Sequence, residues 1–157
     1  MDIEYVTDEA AIRMTRLYDA PIDKVWEALT RPEHVKQWFG GRGFSNPVCE
    51  MDVRPGGNWH HVMRTPDGAE YPIHFVFKIV EKPSRLVWQS ADFGHESTDG
   101  PPACRYDVTL VPSGERTQWI LLAYFESEAG RAAAGTMGFT ETLSQGCERF
   151  NAVASAL

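Results

Sequence analysis

Turn and helix-start signals fall along this chain in one order: Tyr18-Asp19-Ala20-Pro21, Val25-Trp26, Trp38-Phe39-Gly40, Asp52-Val53-Arg54-Pro55-Gly56-Gly57, and finally Gly138-Phe139. Read as junctions, they mark a strand passing to a helix, a hairpin, and a sheet passing to a helix. Together they predict a sheet gripping one long C-terminal helix around a pocket. They leave open what fills it.

The first strand is read from Ile12-Arg13-Met14-Thr15-Arg16-Leu17-Tyr18, which alternates apolar and polar side chains and stops at Asp19-Ala20-Pro21. Ile22, Val25, Trp26 and Leu29 then recur at helical spacing. A second short helix follows, with Thr30 as its expected cap, Pro32 in its first turn, and Val35, Trp38 and Phe39 along its apolar stripe. From about Pro47 to Gln89 the pattern changes to strands separated by turns at 54–57, 65–68 and 81–84, an antiparallel meander. Period-2 parity assigns the core-facing sets: Trp59, His61 and Met63; Tyr71, Ile73, Phe75, Phe77 and Ile79; Leu86 and Trp88. Residues 91–102, rich in Gly, Pro, Asp, Ser and His, read as a mobile loop. Two more strands are expected near 103–111 and 116–126. From about Thr136, the residues Phe139, Leu143, Cys147, Phe150, Ala154 and Leu157 predict a long helix with one apolar face. The expectation is one α+β domain over 1–157, core about 12–155: about seven antiparallel strands curved around a long helix, with two short helices after the first strand.

Composition narrows the functional classes. A chain of 157 residues is long enough to bury about two thirds of its unfolded surface and to fold without covalent staples. Its three cysteines, Cys49, Cys104 and Cys147, are far apart and form no C-x-x-C pair. Neither a disulfide framework nor a structural metal is implied, and a reducing, cytoplasmic setting is the simplest expectation. No apolar run approaches the roughly 18 residues of a membrane span, so no membrane association is expected. A net charge of -7 repels a phosphate backbone, which argues against nucleic-acid binding.

The same ordered signals resemble the helix-grip superfamily, which includes the START, birch-pollen-allergen and polyketide-cyclase relatives. Within it they resemble the branch homologous to the C-terminal domain of the activator of the heat-shock-protein-90 ATPase. The residues that carry the likeness are Arg16-Leu17-Tyr18-Asp19-Ala20-Pro21 with Val25-Trp26, Thr30-Arg31-Pro32-Glu33-His34 with Gln37-Trp38-Phe39-Gly40, and Asp52-Val53-Arg54-Pro55-Gly56-Gly57. Glu81-Lys82-Pro83 with Arg85-Leu86-Val87, and Gly138-Phe139-Thr140-Glu141-Thr142-Leu143, complete it. Phe39 and Phe139 stand where the family commonly has Trp, and both keep an aromatic ring. The resemblance implies the fold more firmly than an activity. It does not carry over the co-chaperone role, because the eukaryotic activator has a further N-terminal domain.

A curved sheet facing one helix commonly encloses a cavity. The expected function is therefore a small-molecule-binding protein, holding a hydrophobic or aromatic ligand between sheet and C-terminal helix, with a stress response as its setting and no cofactor. The residues expected to line the cavity are Trp38, Phe39, Trp59, His61, Met63, Phe75, Phe77, Trp88, Tyr106, Phe139 and Leu143. Trp38-Phe39 reads equally as an aromatic gate beside a glycine-rich loop or as ordinary packing of a helix end. An alternative is a cyclase, dehydratase or hydrolase-like enzyme using His61, Arg16 or a nearby carboxylate as acid or base. A third is a protein-interaction module or homodimer, prompted by Trp119 and Tyr124 on opposite faces of one strand.

Each polar candidate also has a plainer reading. His61 is more simply a hydrogen-bonded core histidine, since no second ligand falls at a metal-site spacing. His34 and His95 read as solvent-exposed, and Glu50 with Asp52 as an outer acidic stripe rather than an acid-base pair. Arg16 is the most unusual polar residue on an otherwise apolar face. It either anchors a ligand carboxylate or pairs with an acidic side chain across the sheet. Arg54-Pro55-Gly56-Gly57 is a turn, and no nucleophile-base pair is legible.

Overall fold

The computed structural model describes residues 2–6, 10–91, 103–136 and 138–157, with the backbone alone for 2–6. Most of the segment read as a loop at 91–102, His95 included, lies outside the described residues.

Among the described residues, eight strands form one antiparallel sheet in the order β1-β2-β8-β7-β6-β5-β4-β3. They are β1 (Asp2–Val6), β2 (Ala11–Tyr18), β3 (Ser45–Met51), β4 (Asn58–Arg64), β5 (Glu70–Glu81), β6 (Arg85–Ser90), β7 (Cys104–Ser113) and β8 (Arg116–Phe125). Helices α1 (Ile22–Thr30) and α2 (Pro32–Trp38) follow β2, and α3 (Glu128–Thr136) and α4 (Phe139–Ser155) close the chain. This is the expected α+β helix-grip arrangement, with α4 packed against the concave face of the sheet: Phe150 meets Tyr18, Trp119 and Trp38 at centroid distances of 4.8, 5.3 and 5.1 Å.

Two elements exceed the sequence expectation. β1 makes the sheet one strand wider, pairing Asp2–Val6 against Thr15–Ala11. α3 fills the gap before α4; Ser127 caps it, its Oγ accepting the Gly130 N–H at 3.0 Å, and an alanine run from Ala132 to Ala134 carries it.

Several details differ from the sequence reading. Thr30 does not cap α2; its Oγ1 donates back to the Trp26 carbonyl at 2.7 Å. The cap position belongs to Arg31, which is extended (φ -101°, ψ 125°) because the ring of Pro32 excludes the helical region for the residue before it. In β5 the register with β6 shifts between Phe77 and Ile79, so Val80 packs into the core in place of Ile79, while Tyr71, near the start of the strand, is exposed. Leu157 lies beyond the end of α4 and is exposed. His34 is half-buried rather than exposed, with its Nδ1 covered and unpartnered.

Two of the strand prolines sit where the sheet offers pairing on one side only. Pro47 is in β3, an edge of the sheet, and Pro72 of β5 lies before Phe75, where pairing with β6 begins. At the β3–β4 turn a Cβ on Gly57 would fall 1.9 Å from the Asp52 carbonyl oxygen, so this turn closes only around glycine.

Candidate functional site

The concave face carries a continuous aromatic band. Trp59 of β4 is its hub, with ring centroids 4.9 Å from Phe75, 5.7 Å from Phe39, 5.7 Å from Trp88 and 5.8 Å from Phe77, which it stacks at 10°. Trp88 stacks on Tyr106 at 5.1 Å and 12°, and Tyr106 faces Phe139 of α4 at 6.3 Å. Trp59, Phe75, Phe77 and Trp88 are buried, whereas Trp38, Phe39, Tyr106, Phe139 and Leu143 around them are half-buried. Of the residues expected to line the cavity, these and His61 come together; Met63 is half-buried and belongs to neither apolar cluster of the core.

His61 is 2% exposed and has both ring nitrogens engaged. Trp59 Nε1, which can only donate, bonds Nδ1 at 3.2 Å. The proton must therefore sit on Nε2, which donates to Asn46 Oδ1 at 2.7 Å. The Asn46 amide in turn donates to the Lys36 and Phe39 carbonyls at 2.9 and 3.1 Å, at the end of α2. Burial, and then the nearby Lys36 charge, push the His61 pKa down to about 4, so the ring is neutral near pH 7. His60 points to the opposite face, where it stacks on His74 at 4.3 Å. Among the described residues, no three His, Cys, Asp or Glu side chains converge as a metal ion requires.

Arg149 of α4 clamps the loop after α2. Its guanidinium donates to the carbonyls of Gln37, Phe39, Gly40, Gly41 and Phe44, at 2.8 to 3.4 Å. The helix approaches this closely because Gly146 is small: a Cβ there would lie 3.2 Å from the Gly40 carbonyl oxygen. Gln145 Oε1 accepts the Arg42 N–H at 2.9 Å, and Glu148 pairs with the Arg42 guanidinium at 2.8 Å. Trp38 is tied to α1 through its Nε1, which donates to the Ala28 carbonyl at 2.8 Å. The glycine-rich segment beside Trp38-Phe39 is thus pinned by side chains from two directions, which favours packing over a swinging gate. Neither Asn46 nor Arg149 stood out in the sequence. Asn46 lies near the start of β3, and Arg149 adjoins the apolar stripe of its helix; only the folded chain brings either to the carbonyls it serves.

The remaining polar candidates separate clearly. Glu50 and Asp52 are exposed, and Asp52 pairs with Arg54 at 2.7 Å on the surface. Trp119 is buried on the concave face and Tyr124 is half-buried. Arg16 is half-buried, its Cζ 5.5 Å from the centre of the Tyr18 ring. Three buried donors of this face, Tyr18 Oη, Trp88 Nε1 and Trp119 Nε1, have no hydrogen-bond partner. The cysteines are buried and free, and burial raises all three thiols, Cys49 and Cys147 to about 11.

No helix among the described residues is long and apolar enough to cross a membrane. Similarity to known proteins is strongest at the level of fold. A solved protein from Nitrosomonas europaea is 27% identical, with a TM-score of 0.84 over 94% of this chain and 96% of that one. One from Arthrobacter aurescens is 23% identical, with a TM-score of 0.88 over 99% and 92%, and one from Rhodobacter sphaeroides is 19% identical, with 0.84 over 99% of both chains. A search among curated proteins finds no match. Residues 19–154 match the family described as "Activator of Hsp90 ATPase homolog 1-like protein", and since that is nearly the whole of the folded core, the chain belongs to this family.

Proposed function

We propose that this protein binds a small, mainly apolar or aromatic molecule between the concave face of the sheet and α4, in the cytoplasm. The observation that carries this reading is the aromatic band from Phe39 through Trp59 and Trp88 to Tyr106 and Phe139, whose outer members are only partly covered by the chain itself. Flat rings of this kind offer large contact area at small entropic cost, and the orphan Trp88 N–H adds one directional donor. An enzymatic reading gains less support. Both nitrogens of His61 are spent on Trp59 and Asn46, and the acidic pair nearest in sequence faces outward.

Native mass spectrometry of the protein as purified, with a thermal-shift screen of aromatic and lipid-like compounds, tests the proposal. A retained small molecule is expected, or a compound that raises the melting temperature; at 100 times its dissociation constant a ligand adds roughly 2.7 kcal/mol. A bare-chain mass with no compound shifting the melting would overturn it.

A further inference from the structure

At the end of the concave face nearest the C-terminal half of α4, the chain gathers hydrogen-bond donors and supplies no acceptor for them. Arg16 of β2 stands directly opposite Trp119 of β8 in the strand register, and Tyr18 follows two residues on, on the same face. The rings of Tyr18 and Trp119 meet edge to face at 5.3 Å, and Phe150 of α4 packs against both. Tyr18 is fully buried and Trp119 is 4% exposed, yet neither Tyr18 Oη nor Trp119 Nε1 has a hydrogen-bond partner. The Cys147 thiol beside Tyr18 is only a weak hydrogen-bonding group. An unpaired buried donor is unfavourable, and here two adjoin a half-buried guanidinium.

Among the described residues no ion pair joins Arg16 to a carboxylate, although Glu148 of α4 lies within reach of its charge. The cross-strand neighbour of Arg16 is Trp119, which removes an acidic partner across the sheet. Glu148 feels the Arg16 charge, but its ion pair and hydrogen bond go to Arg42 at 2.8 Å. The one close contact recorded for the Arg16 guanidinium among the described residues is the Tyr18 ring, an attraction that leaves its N–H groups unspent.

We infer that Arg16, Tyr18 and Trp119 form the polar end of the ligand site and hold a single carboxylate carried by an otherwise apolar molecule, an inference that rests on the binding function proposed above. A carboxylate matches what is missing: it brings one negative charge for one guanidinium and lone pairs enough for both neutral donors. Water can satisfy a donor but brings no countercharge. A dianion would leave one charge uncompensated in a half-buried site of a protein whose net charge is already -7. The apolar body of the ligand then lies along α4, toward the aromatic band.

The test is a set of matched pairs titrated calorimetrically into the full chain: octanoate against octan-1-ol, and 4-phenylbutyrate against 4-phenylbutan-1-ol. The acid of at least one pair is expected to bind ten-fold or more tighter than its alcohol. In Arg16→Gln that preference is expected to vanish while alcohol binding stays within two-fold, and Arg16→Lys should restore part of it. A readout that needs no altered Arg16 is the Trp119 indole N–H resonance, assigned by its loss in Trp119→Phe, which the acid should shift and the alcohol should not. Acids and alcohols binding equally to the unaltered protein, or a preference that survives Arg16→Gln, would overturn the carboxylate inference and leave the binding function standing. If neither member of any pair binds, both fall.

Discussion

His61 shows how one buried side chain makes stability depend on pH. The native state needs the ring neutral, since Nδ1 accepts from Trp59 and a second ring proton would have no acceptor there. The folded pKa of about 4 lies below the ordinary value near 6.5, so between these two the unfolded chain binds the proton more readily than the folded one. Stability from this group is full above about pH 6.5 and falls as the pH drops toward 4, by roughly 2–3 kcal/mol. Urea unfolding at pH 7.5 and pH 4.5 should show that loss. In His61→Gln, which can still reach Asn46 but does not titrate, the curves should lie closer together at the cost of lower stability at pH 7.5. A variant with unchanged pH dependence would mean that other groups drive the acid sensitivity.

At the scale of elements, the junction between α2 and β3 is held by α4 rather than by its own sequence. Five carbonyls of residues 37–44 turn toward one guanidinium, and the Asn46 amide takes the Lys36 carbonyl and shares that of Phe39. Without Arg149 the Gly40 and Phe44 carbonyls would lose this donor in a part-buried setting, while Phe39 would keep only Asn46 and Gly41 only the Phe44 N–H. Arg149→Met, which keeps most of the apolar stem, should therefore destabilise by about 2–4 kcal/mol. Arg149→Lys should recover only part of this, because a compact ammonium with three donors cannot span carbonyls that a planar fork reaches together. Full recovery in the lysine variant would show that charge alone holds the loop. Hydrogen exchange should localise the effect to Phe39, Phe44 and the start of β3, the neighbourhood of the aromatic band.

Across the whole molecule, the thiols report how closely the layers are packed. Cys49 lies on β3, Cys104 on β7 and Cys147 on α4, so the three sample distant parts of the fold. Each is buried and each thiol is raised above its ordinary pKa by that burial, which lowers both access and thiolate content. At pH 8 a disulfide reagent such as Ellman's should react with the native protein far more slowly than with the denatured chain, at rates that follow opening of the structure. A ligand seated between sheet and α4 should slow Cys147 most, because it lies beside Tyr18. Prompt reaction of Cys147 in the native state would show that α4 lifts easily from the sheet.

The periods of the sequence and its turn residues were enough to determine most of the local elements and their order, though not β1 or α3. Alternation in β2, the i, i+3, i+4 spacing in α1 and α4, and the glycine and proline junctions each act over a few residues, so they are visible without knowing what packs on what. The aromatic band was legible for the same reason: Trp59, Phe75, Phe77 and Trp88 follow from strand parity once the faces are assigned. Parity failed where the tertiary structure inserted a register shift, exchanging Ile79 for Val80, and at the strand start that exposes Tyr71. Only the fold could decide the roles of polar residues. Whether Arg16 meets an acid or a tryptophan depends on strand order, with β8 rather than another strand beside β2. Whether His61 is free or spent depends on Asn46 arriving from β3, and whether the loop after Phe39 is held depends on Arg149, more than 100 residues later. Such contacts join residues far apart in the chain, and the free energy of a buried polar group is set by the partner it finds there.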